Sequence, residues 1–142
     1  MSLYSVLYAT NPPAPEAAIA AAFPTHVVQV ASDRSLVQTN AVNASARRRT
    51  KPNFDLELFG FEPAVSIYLV IDKDRSVEAR QELAAAIRSF LDSTSGDVAL
   101  TYLDTIVLNR VGATAVCAAS YADMLPNGTA GWTIVAELPQ PE

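Results

Sequence analysis

From Ala64 to Ile71 the chain reads Ala-Val-Ser-Ile-Tyr-Leu-Val-Ile, apolar on both of the faces that a strand presents. Such a strand has cover on each side or lies at the centre of a sheet. Asp72-Lys73-Asp74-Arg75 then turns the chain into a segment of helical period. Val77, Leu83, Ala84, Ile87, Phe90 and Leu91 fall on one stripe, with Arg80, Gln81, Glu82 and Arg88 elsewhere. Ser76 is the expected N-cap, and Glu78 lies in the first turn, where the helix dipole favours an anion. Gly96 suits the left-handed position after the last turn. A buried strand feeding an amphipathic helix specifies a packed α+β layer.

The rest of the chain supplies more strands. Leu3–Ala9 alternates Leu3, Ser5 and Leu7 against Tyr4, Val6 and Tyr8. Pro15 and Glu16 open a short alanine-rich helix that Pro24 closes. Residues 25–31 and 35–42 read as two strands joined by the polar turn Ser32-Asp33-Arg34. Asn43 to Asn53, with the run Arg47-Arg48-Arg49-Thr50-Lys51, reads as a solvated loop. Phe54 to Leu58 alternates apolar with acidic, as a half-exposed edge strand does. Three short strands follow the long helix at 98–102, 105–110 and 113–120, and a last one is expected within 132–138. With no repeat and no linker, residues 1–142 are expected to form a single α+β domain. Its expected architecture is a mostly antiparallel sheet of about six to eight strands. A long helix of about residues 76–93 would pack on one face, with a short N-terminal helix (about 15–23) beside it or closing an end.

Chemistry is sparse. His26 is the only histidine and Cys117 the only cysteine, which excludes a disulfide framework and a cysteine-rich zinc site. Cys117 lies in an alanine-rich, strand-like run and reads as a buried, inert thiol. The carboxylates Asp55 with Glu57 and Asp72 with Asp74 are spaced to share a strand face, but general acid–base work needs such a pair in a cleft. No phosphate-binding glycine loop or nucleophile elbow occurs. No catalytic residue, metal site or cofactor is expected.

Net charge is −5, and it is unevenly placed. Residues 1–88 are balanced, whereas residues 89–142 carry Arg110 against Asp92, Asp97, Asp104, Asp123, Glu137 and Glu142. An acidic balance opposes nucleic-acid binding and suits a basic protein partner. No apolar run approaches the length of a membrane span, and no leader pattern precedes the first strand. The expectation is a soluble, cytoplasmic protein.

Several short stretches carry a family resemblance. Gly60-Phe61-Glu62-Pro63 leads into a strand closed by Asp72-Lys73. A helix follows, then Gly96-Asp97-Val98-Ala99-Leu100 and Ile106-Val107-Leu108-Asn109-Arg110. This series resembles the immunity proteins of bacterial swarming-inhibition toxin systems, and Tyr8-Ala9-Thr10 before the Pro-Glu helix start looks similar as well. Two positions depart from the pattern. Leu103-Asp104-Thr105 stands where the family has an Asn-Gly-Glu hairpin turn, and Asn109 replaces one of a pair of arginines. The resemblance implies a non-enzymatic inhibitor that binds a cognate toxin, with Asp97, Tyr102, Asp104 and Trp132 as candidate contacts. The rival readings are a small-molecule-binding or enzymatic domain built on the Asp55/Glu57 region, and a structural adaptor joining an assembly through an edge strand.

Overall fold

The computed structural model describes residues 3–49, 59–126 and 130–138. Its elements are β1 (Leu3–Ala9), α1 (Pro15–Ala22), β2 (Gln29–Val30), β3 (Ser35–Gln38), β4 (Val42–Arg48) and β5 (Val65–Ile71). They are followed by a 3₁₀ turn (Lys73–Arg75), α2 (Ser76–Ser93), β6 (Val98–Tyr102), β7 (Thr105–Val111) and β8 (Thr114–Ala118). A second 3₁₀ segment (Ala119–Met124) precedes β9 (Thr133–Val135). The strands form one sheet in the order β2-β3-β4-β5-β1-β6-β7-β8-β9, antiparallel except for β8 with β9. The expected α+β class and helix-on-sheet arrangement are therefore present, with nine strands among the described residues.

The organising pair is β1 and β5. Leu7 lies opposite Ile67 and Ala9 opposite Val65. Both strands send these odd-numbered side chains to the face that α1 and α2 cover. There Leu7, Val65, Ile67, Leu69 and Leu100 are almost wholly buried with Ile87 and Phe90 of α2. Each such side chain contributes roughly 1.5–3 kcal/mol by leaving water. The short helix packs beside the long one, and Ser89 of α2 donates its hydroxyl to the carbonyl of Ala21 (2.8 Å).

The structure corrects the sequence reading at several points. Residues 42–48 are a strand, not the start of a solvated loop. Val42, Ala44 and Ala46 point to the helix face while Asn43, Ser45 and Arg47 point away. Alanines carry little strand propensity, so the alternation is faint, yet their small size lets α1 approach the sheet. The expected strand over 35–42 is broken at Thr39, whose amide and hydroxyl both close a turn onto Val42. The strand expected over 25–31 is reduced to Gln29–Val30, and Val27 stands 83 % exposed. Helix α2 takes Arg75 rather than Ser76 as its N-cap. The local cap belongs to the preceding 3₁₀ turn, where the Asp72 carboxylate accepts the Asp74 N–H (3.0 Å). Val77 leaves the helix stripe for solvent, and Ala79 and Leu83 begin it instead. The expected edge strand at 54–58 lies outside the described residues, as do Asp55, Glu57, Thr50 and Lys51.

The β6–β7 hairpin keeps the geometry that its sequence disguises. Leu103 and Asp104 take φ of 48° and 69°, the left-handed pair that a type I′ turn requires. The other departure, Asn109, donates its side-chain amide to the Phe59 carbonyl (3.1 Å) and so ties residue 59 to the face opposite the helices.

Candidate functional site

The two faces of the sheet are covered unequally. Helices cover one. On the other, Phe59, Phe61, Ala99, Ile106, Ala118 and Leu138 make a small second core, with Tyr8 against Phe59 at a ring separation of 4.6 Å. The remaining part of that face, over β4, β5 and β1, carries Asn43, Ser45, Ser66, Tyr68, Val70 and Tyr4. Tyr68 is 49 % exposed and Val70 37 %, although β5 lies inside the sheet. The Tyr4 ring stacks on Tyr68 at 6.0 Å. Leu103, 43 % exposed, adjoins Tyr4 through its N–H to the Tyr4 carbonyl (3.1 Å). Exposed aromatic and aliphatic side chains together are an informative departure from ordinary surface composition.

The four candidate contacts are not one patch. Asp104 belongs to this open face: its carboxylate takes a hydrogen bond from the Tyr4 hydroxyl, which raises the phenol above its ordinary value. Asp97 lies at the other end of β6, roughly 20 Å away along the strand. It is tied into the scaffold, since its Oδ1 accepts the Gly112 N–H (2.9 Å) and its own N–H donates to Thr10 Oγ1 (3.0 Å). Tyr102 points to the helix side and packs near Tyr121 at 6.2 Å. Trp132 is half-buried against the main core. Sequence reasoning missed Tyr4, Tyr68 and Val70, whose alternation was legible but whose lack of cover was not.

Other chemistry is structural. Arg80 lies over the Tyr121 ring (4.6 Å) and pairs with Asp123 (2.7 Å), clamping the second 3₁₀ segment onto α2. An open cleft of about 790 Å³ beside the β3–β4 turn includes His26, Gln29, Asn43 and Glu82. Its one carboxylate, Glu82, accepts the backbone N–H groups of Ala41 (2.7 Å) and Asn40 (3.3 Å), which employs it as a turn anchor. Among the described residues no cluster of His, Cys, Asp or Glu could hold a metal ion.

Cys117 is fully buried in β8. Burial, reinforced by Asp123 and opposed by Arg80, pushes its thiol from 9.0 up to about 11. A raised value means that the folded state favours the neutral thiol. Its contribution to stability is complete below pH 9 and is lost as pH rises through about 11. Native protein at pH 8 is expected to resist iodoacetamide and to label fully only in denaturant. Thermal scans from pH 8 to 11 are expected to show a shallower alkaline decline in Cys117→Ala than in wild type. Equal declines, or native labelling, would contradict the buried, neutral state.

A family model described as SitI3-like matches residues 4–124, which run from β1 to the end of the second 3₁₀ segment. Neither a curated protein nor a solved structure matches the chain.

Proposed function

The chain belongs to the SitI3-like family, and we propose that it is an immunity protein that binds a cognate toxin and blocks it without catalysis. The match over residues 4–124 is the observation that carries this reading, because SitI family names are those of immunity proteins of toxin systems. The composition is compatible: a net charge of −5 favours encounter with a basic partner. An open sheet face rich in tyrosine and small polar side chains suits protein recognition better than turnover of a small substrate. In this reading the partner belongs to a swarming-inhibition toxin system, and the protein acts in the cytoplasm of the producing cell. No helix among the described residues is long and apolar enough to cross a membrane.

The test is co-expression with the toxin encoded beside it. Cells carrying both genes are expected to grow, cells carrying the toxin alone to arrest, and the two purified proteins to co-elute. Arrest in the presence of the chain, with no complex formed, would overturn the reading.

A further inference from the structure

We infer that the cognate toxin docks on the open face of the sheet, across Tyr4, Tyr68, Val70 and Leu103, and presents a basic group to Asp104 at its rim. This rests on the immunity reading and adds to it a surface and an orientation.

Three observations support the surface. First, composition: the uncovered part of β4, β5 and β1 presents Asn43, Ser45, Ser66, Tyr68, Val70 and Tyr4, with Ser66 itself buried beneath its neighbours and Arg47 the one charged side chain that those strands turn to this face, at its far end. Charge depletion at the centre with tyrosine enrichment is the composition of protein–protein interface cores. Tyrosine with serine and asparagine is also what antibody combining sites use, because rigid rings give area at small entropic cost and short polar groups adapt. Secondly, place: Tyr68 and Val70 stand exposed on β5, which is an interior strand of the sheet. Thirdly, strain: Leu103 holds φ at 48° while 43 % exposed. A leucine there is disfavoured against glycine or asparagine; the turn needs the positive φ but not the leucine, so a half-exposed apolar side chain at this position points to a task outside the turn. Its N–H donates to the Tyr4 carbonyl (3.1 Å), so Leu103 adjoins the strand that carries Tyr4.

Charge sets the partner's orientation. Asp104 stands at the end of the face where β6 turns, and the Asp72-Lys73-Asp74-Arg75 turn at the exit of β5 is balanced in charge. Arg47 stands at the other end, opposite Ser66. A toxin surface with an apolar centre and lysine or arginine toward Asp104 complements this polarity. A second copy of the chain is the other occupant to consider. The face is too polar for an obligate dimer interface, which is more apolar than the surface average, and two chains of charge −5 repel.

The experiment measures binding of the purified chain to the purified toxin by calorimetry, with thermal melts for every variant. Tyr68→Ala is expected to weaken binding at least about tenfold, as loss of an aromatic anchor does. Leu103→Gly relieves a positive φ, so its melting point should hold or rise while binding falls; a merely structural leucine would show no fall. Asp104→Asn tolerates the same φ and should weaken binding and flatten its salt dependence. Val77→Asp, on the exposed side of α2, should bind as wild type. If wild type binds and Tyr68→Ala and Leu103→Gly bind equally well, the docking face is wrong and the immunity reading stands. If wild type does not bind the toxin, both fall. A dimer by sedimentation that Tyr68→Asp splits would assign the face to a second copy and overturn the proposal.

Discussion

Phe90→Ala is expected to lower the unfolding free energy by about 3–5 kcal/mol, the range for truncating a fully buried phenylalanine. Phe90 has no exposed surface and lies in the main cluster with Leu83 and Ile87. Its carbonyl also accepts the N–H and the hydroxyl of Thr94 at the end of α2, so the last helical turn is fixed around it. A domain of ordinary stability holds only about 5–15 kcal/mol, so this one change would remove about a fifth of it or more. Urea unfolding followed by circular dichroism measures the effect. Val77→Ala, at an exposed position in the first turn of the same helix, should stay within about 0.5 kcal/mol of wild type. A loss below 1 kcal/mol at Phe90 would mean that α2 does not present this face to the sheet.

The helix was legible because a stripe of large apolar residues has few competing explanations, and β5 because both of its faces are apolar. The hairpins from β6 to β8 were legible from short strands and short turns. Strand β4 was not, since Ala44 and Ala46 signal a strand poorly and owe their burial to α1. Nor was the place of β1 in the sheet. Its partners, β5 and β6, lie some sixty and ninety residues away, and alternation within Leu3–Ala9 cannot name them. The candidate site failed for a related reason. Period-two spacing says that Tyr4 shares a face with Val6 and Tyr8, and that Tyr68 shares one with Val70. Which face stays uncovered depends on where Phe59, Phe61 and Leu138 settle, and long-range packing decides that. Asp97 and Asp104 are chemically alike in the sequence. Only the fold shows that Asp97 turns inward to the Gly112 amide while Asp104 meets the Tyr4 hydroxyl at the surface.

Gly96→Ala is expected to cost about 2–4 kcal/mol, from two separable causes. Gly96 sits at φ +100°, a conformation in which an L side chain carries about 1–3 kcal/mol of strain. A Cβ there would also stand 2.7 Å from Thr10 Oγ1 and 3.5 Å from Asn11 Cβ. Thr10 cannot yield cheaply. Its hydroxyl accepts the Asp97 N–H (3.0 Å) and its own N–H donates to the Asp97 carbonyl (3.1 Å), bonds worth about 1 kcal/mol each. The Gly96 carbonyl meanwhile accepts Arg110 Nε (3.0 Å). The family-like Gly96-Asp97 pair therefore fixes β6 against β1 and β7, and its glycine is required by close approach as much as by dihedral angle. Gly112 separates the two causes: it has φ +58° with nothing within 4 Å of a built Cβ, so Gly112→Ala should show the dihedral strain alone. A double-mutant cycle completes the test. In a Thr10→Ala background the obstructing oxygen is gone, and the cost of Gly96→Ala should shrink toward that of Gly112→Ala. Equal costs of Gly96→Ala in both backgrounds would show that the contact with Thr10 does not set the position of β6. Because this junction lies at the end of β6 remote from Leu103, whatever folded Gly96→Ala protein survives should bind the toxin as tightly as wild type, which separates loss of scaffold from loss of recognition.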